Sequence, residues 1–204
     1  MRLRRAVPMM MLLLLCACGA AKTSAQTPVR FRTELLEAGQ LSCQLVLRAD
    51  YGEYVRDFTL DCRYTPDEAS LQVVEPEIAK GITASVSGEG AKVSYDSTVL
   101  AVENFESRRI SPMAAPYLLG KAWTEGYIAS MGESDGLETT EYTLGYGGDT
   151  LKITTDFQDG RPVHGEISDG QTVLISCEIK DLRLEKKEAE QNEDVKTYVG
   201  GGQP

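Results

Sequence analysis

The sequence predicts a mainly β protein of the α+β kind: a strongly curved antiparallel meander of about nine or ten strands, with helices across its concave face. Three observations predict it. From residue 40 onward, short runs alternate apolar with polar side chains. Glycine-containing tight turns separate those runs, which makes neighbouring strands antiparallel. One interruption, residues 111–125, changes to helical spacing and holds more apolar side chains than a surface helix needs, the single tryptophan among them.

The first residues are of another kind. Arg2, Arg4 and Arg5 precede an apolar run from Met9 to Ala17 that is too short to span a bilayer. They read as an export signal over residues 1–17. Leu15-Cys16-Ala17-Cys18-Gly19 resembles the bacterial lipobox, which places cleavage before Cys18 and a diacylglycerol thioether on its sulfur. Residues 18–28 are small and polar and read as a flexible tether. Phe31, Leu35 and Leu36 then follow at helical spacing up to Gly39, a helix stop.

Leu41, Cys43, Leu45 and Leu47 alternate on one strand, and Phe58, Leu60, Cys62 and Tyr64 on the next. A two-residue Gly52-Glu53 turn opposes Leu47 with Phe58, Leu45 with Leu60 and Cys43 with Cys62. All the apolar residues then share one face, and a one-residue slip would lose this. Leu71 and Val73 mark a third strand, Gly88-Glu89 pairs Val86 with Ala91, and Thr98 to Val102 is a further strand. Ser111-Pro112 is an N-cap followed by proline, with Met113, Tyr117, Leu118, Ala122 and Trp123 behind it; Pro116 either kinks the first turn or sets the true helix start. In the second run, Gly147-Gly148 pairs Leu144 with Leu151. A five-residue connection at 158–162 opposes Phe157 with Val163. A three-residue turn at 169–171 opposes Ile167 with Val173 and His164 with Ser176. The domain spans residues 29–184, and residues 185–204 are a polar, disordered tail.

Composition narrows function. The formal net charge is −10; the first seventeen residues hold three arginines and no acid, so the remainder carries −13. That balance argues against nucleic-acid binding. His164 is the single histidine, which leaves no histidine-based zinc cluster and reads as a surface side chain. Glu133-Ser134-Asp135 and Asp156 with Asp159 read as turn residues. Cys43 and Cys62 are either a cross-strand disulfide or two buried thiols, and Cys177 is a buried, inert thiol. No catalytic residue, cofactor or metal is expected.

This order of elements, with the segments Leu41-Ser42-Cys43 and Ile110-Ser111-Pro112-Met113, resembles the LolA/LolB-like superfamily of half-barrel lipoproteins, including clostridial germination lipoproteins. The resemblance covers residues 30–184. It implies a carrier of acyl chains or a partner of envelope proteins, and it carries over no site residues. The expectation is a non-enzymatic lipoprotein, extracytoplasmic and anchored to the bacterial cell membrane through Cys18. A concave groove lined by Leu45, Leu47, Phe58, Leu60, Met113, Tyr117 and Trp123 would hold an acyl chain, a lipoprotein or another apolar ligand. The alternative is an envelope protein-interaction subunit whose hollow is filled, tethering or stabilising a partner enzyme, for example in sporulation or germination.

Overall fold

A computed structural model describes residues 26–96, 98–102, 110–146 and 149–186. The export signal, Cys18 with the tether up to residue 25, the Gly147-Gly148 turn and the tail beyond residue 186 lie outside the described residues. Eleven antiparallel strands form one sheet: β1 (Gly39–Asp50), β2 (Val55–Tyr64), β3 (Glu68–Glu75), β4 (Thr83–Ser87), β5 (Gly90–Tyr95), β6 (Thr98–Val102), β7 (Tyr127–Ser134), β8 (Leu137–Tyr146), β9 (Asp149–Gln158), β10 (Arg161–Ser168) and β11 (Val173–Lys186). Their spatial order is β6-β5-β4-β3-β2-β1-β11-β10-β9-β8-β7, so the two meanders join through β1 and β11 and the sheet stays unclosed. Helix α1 (Thr27–Ala38) and helix α2 (Ala115–Thr124) pack on one face. α2 touches β2 and β3 on one side and β8 on the other, although four strands lie between β2 and β8. One helix reaches both only if the sheet bends around it: the half-barrel that the alternating pattern predicts.

The β1–β2 hairpin has the expected register, with Cys43 opposite Cys62, Leu45 opposite Leu60 and Leu47 opposite Phe58. Gly52 has φ 81°, a positive value that glycine adopts without strain, and the Glu53 N–H donates to the Tyr51 carbonyl across it. The pairs Val86–Ala91 and Leu144–Leu151 also form as expected. Two turns of the second meander differ. Asp159 (φ 51°) and Gly160 (φ 78°) make a two-residue turn of type I′ character, so Phe157 opposes Pro162; a bulge after Pro162 then returns Ile153 to Ile167. The next connection is longer than three residues. Asp169 Oδ1 accepts from the backbone N–H groups of Gln171 and Thr172, and Ile167 opposes Ile175 and His164 opposes Glu178, each two residues from the expected partner. A slip of two keeps every side chain on its face. Asp156, read as a turn residue, lies inside β9.

α1 begins at Thr27, two residues into the expected tether, with Pro28 in its first turn. Gly39 ends it at φ 78°, donating its N–H to the Leu35 carbonyl. Phe31 and Leu35 are buried, but Leu36 is 50% exposed: a 12-residue helix on a sheet buries a narrow stripe, and Leu36 lies beside it. Ser111 caps the 3₁₀ turn Pro112–Ala114, accepting from the Met113 N–H, and α2 follows with Pro116 in its first turn. Every residue of α2 is buried except Lys121.

Arg32 ties the two helices together. Its guanidinium donates to the carbonyls of Trp123 (2.7 Å), Ala122 (3.2 Å) and Gly126 (2.6 Å) at the end of α2, where orphan carbonyls and the helix dipole favour a cation. Replacing Arg32 with Ala is expected to lower the unfolding free energy by about 2 kcal/mol, the scale of charge-assisted hydrogen bonds. Arg32→Lys restores only part of it, because an ammonium has no planar fork. Denaturant titration of the three proteins measures both.

Candidate functional site

The concave hollow is built from the apolar faces of both meanders and from α2. Of the residues expected to line a groove there, Leu45, Leu47, Leu60 and Trp123 are at most 2% exposed; Tyr117 is buried, and Phe58 and Met113 are half-buried. Leu45, Leu47, Leu60, Tyr117 and Trp123 belong to the buried core, and Phe58 and Met113 pack against it. The reason is close approach. At Gly120 a Cβ would meet the Tyr64 ring at 2.3 Å, and at Gly165 it would meet Leu119 at 2.9 Å. Glycine at these two contacts lets α2 sit directly on the strands. The space left among Leu41, Cys43, Leu45, Cys62, Tyr64, Pro116, Leu119 and Trp123 is about 10 Å³, the room of a single water at most.

Two polar pairs lie inside the hollow, while the buried Tyr142 hydroxyl has no hydrogen-bond partner among the described residues. The Trp123 indole N–H donates to Thr155 Oγ1 at 3.0 Å, and the Tyr64 hydroxyl lies 2.9 Å from Thr124 Oγ1. Burial pushes the Tyr64 phenol up to about 12. Phe31 packs edge-on against Trp123, ring centres 5.6 Å apart, and against Phe157 at 5.8 Å.

Cys43 and Cys62 face each other across β1 and β2 as free thiols, and Cys177 is a third free thiol. Burial, then the hydrogen bond to Cys43, raises the Cys62 thiol well above its ordinary value. Burial pushes Cys177, 2% exposed, up to about 12. In the native protein Cys177 and Cys62 should therefore resist iodoacetamide at pH 8 while the half-buried Cys43 reacts. Peptide mass spectrometry with and without denaturant checks this; rapid native labelling of Cys177 would contradict the buried placement.

Outside the hollow, the outer face of β1 to β6 forms an open trough of about 600 Å³, lined by polar side chains such as Ser70, Thr83, Ser85 and Ser94 with Asp61, Arg63 and Lys92. Both ends of the sheet expose apolar side chains. Val99 and Leu100 on β6 are each 63% exposed, Tyr95 54%, and Tyr127 on β7 74%. Among the described residues, no three metal-ligating side chains converge, and no helix is long and apolar enough to cross a membrane.

No family model and no curated protein matches the sequence. Sixty-two solved chains match the structure. One is a LolA superfamily protein from Nitrosomonas europaea, at 9% identity over 80% of this chain and 94% of that one, with a TM-score of 0.46. Another belongs to the complex of the CwlD amidase with the GerS lipoprotein of Clostridioides difficile, at 17% identity, 78% and 94% coverage and a TM-score of 0.37. A third is the lipoprotein LppX of Mycobacterium tuberculosis, at 16% identity, 75% and 92% coverage and a TM-score of 0.33. The chain is similar to these proteins in the course of its backbone; its own strand order and packing make it a half-barrel, one unclosed antiparallel sheet curved over two helices.

Proposed function

We propose that the chain is a lipoprotein, anchored through Cys18 on the outer side of a bacterial cell membrane, that works by docking an envelope protein. The filled hollow carries this choice between the two readings of the sequence. An acyl chain needs hundreds of Å³ of apolar space, and the gap among Leu41, Leu45, Tyr64, Leu119 and Trp123 leaves about 10 Å³. Housing a chain there would require moving α2, nine of whose ten residues are buried. Several of the apolar side chains that remain in water stand at the sheet ends; others, such as Ile78 and Leu36, lie elsewhere. β6 is one of the two edge strands among the described residues, and it presents Val99 and Leu100 beside backbone groups able to pair with another strand.

Chemical cross-linking in membranes, followed by affinity capture of the full-length protein, tests this. The expected result is one stoichiometric protein partner, whose capture falls at least tenfold when Val99 and Leu100 are both replaced by Lys. Native mass spectrometry of the gently extracted protein is the counter-test. Co-purifying lipid without a protein partner would overturn the docking reading in favour of a carrier.

A further inference from the structure

The outer face of the second meander holds a constellation that neither reading uses. β9, β10 and β11 bring Asp156, His164 and Ser176 together there. His164 Nε2 lies 3.0 Å from Ser176 Oγ, and its Nδ1 lies 3.3 Å from Asp156 Oδ2. The second carboxylate oxygen, Oδ1, accepts from the Thr139 hydroxyl at 2.6 Å. The side chains of His164 and Asp156 are 32% and 22% exposed, shielded enough to hold one geometry and open enough to be reached. A serine nucleophile needs these two contacts: an imidazole nitrogen on its hydroxyl and a carboxylate on the other imidazole nitrogen. In the tautomer that carries its proton on Nδ1, on the Asp156 side, Nε2 keeps the lone pair that accepts the serine proton. Thr139 fixes the carboxylate's rotation.

We propose that Ser176 is a reactive serine, and that Ser176, His164 and Asp156 form an acyl-transfer site for short, neutral, activated esters. Ser176 Oγ bonds to the ester carbonyl carbon as its proton passes to His164 Nε2. The bond from that carbon to the alcohol oxygen breaks, and Nε2 delivers the proton to the departing oxygen. Water then attacks the acyl carbon and gives a proton to Nε2; the acyl–Oγ bond breaks and Oγ takes that proton back. One ester and one water become one acid and one alcohol, and Asp156 stays ionised throughout. Mid-strand N–H groups are spent in the sheet ladders, so a side chain must meet the negative charge growing on the carbonyl oxygen. Arg48 stands directly opposite Ser176 across the β1–β11 pair, with a 3.6 Å contact to Asp57. Glu166, opposite Ser176 on β10, and Glu178, opposite His164 on β11, disfavour anionic acyl groups.

The test uses the full-length protein in dodecyl maltoside. An alkyl fluorophosphonate should form one adduct, mapped to Ser176 by peptide mass spectrometry and absent from Ser176→Ala. Labelling and p-nitrophenyl acetate turnover should both fall at least about 100-fold in His164→Gln and in Asp156→Asn, and turnover on the order of 10- to 100-fold in Arg48→Ala. Unfolding midpoints matching the parent show that these surface variants remain folded. The Val99 and Leu100 replacements should leave labelling unchanged, because this site stands independently of the docking reading. An intact parent with no adduct, an adduct elsewhere, or His164→Gln labelled at the parent's rate overturns the proposal.

Discussion

Trp123→Ala is expected to lower the unfolding free energy by about 3–5 kcal/mol, the range for truncating a large aromatic residue in a core. Three losses add. The indole, 2% exposed, leaves a void at the centre of the hollow, and the edge-on contact with Phe31 disappears. The Thr155 hydroxyl, fully buried, also loses the indole N–H as its partner. Trp123→Phe separates these terms. It keeps most of the volume and gives up the hydrogen bond, so it should cost about 1–3 kcal/mol. Denaturant titrations of both variants decide the role of the hollow. If Trp123→Ala costs under 1 kcal/mol, the tryptophan stands beside an adaptable groove and the filled-core reading is wrong. A loss in the expected range places α2 in the cooperative core, from which it cannot swing aside to admit a ligand without unfolding much of the sheet.

How far the sequence disclosed this arrangement depended on which forces set each part. Cys43–Cys62 and Leu47–Phe58 were legible because turn chemistry at Gly52 and period-two alternation agree, and a one-residue error would have turned the whole face outward. At Asp159-Gly160 the signal was present: Asp-Gly is a preferred type I′ pair, but Pro162 obscured it by suggesting a longer loop. At Asp169 nothing in the alternation separates a register from another two residues away, since both bury Ile167 and Ile175. The filling of the hollow was not legible. It depends on how closely α2 approaches β2 and β10, and that distance is set by two contacts, Gly120 on Tyr64 and Gly165 on Leu119. The Asp156–His164–Ser176 cluster was hidden for a related reason. Asp156 reads locally as a turn residue, and Ser176 meets His164 diagonally rather than as its cross-strand partner. Parity alone puts all three on the polar face, and that was the available clue.

Replacing Cys18 with Ser should abolish lipid incorporation, whereas Cys16→Ser should leave it intact. The two cysteines are distinguished by what precedes them. Ala17 before Cys18 is the small residue that a lipobox places next to the modified cysteine; Leu15 before Cys16 is not. An alkyne-tagged palmitate fed to expressing cells and read out by gel fluorescence therefore separates them. The parent and Cys16→Ser incorporate the tag and partition into the detergent phase of Triton X-114, while Cys18→Ser does neither. Tag retained in Cys18→Ser would sink the anchoring proposal. The effect is large because each buried methylene contributes about 0.8 kcal/mol, and more than one chain is needed for stable attachment. Anchoring also fixes geometry. Eight residue steps separate Cys18 from Gln26, where the described chain begins, so at about 3.5 Å per residue the start of α1 stays within roughly 28 Å of the membrane surface. On the anchoring proposal, a half-barrel held that close would meet partners from one membrane layer only, so a docking β6 edge could work at a low affinity that would be useless to a freely diffusing protein. Cys18→Ser should consequently lose partner capture even with β6 unchanged, while the Val99 and Leu100 replacements lose capture with the anchor in place.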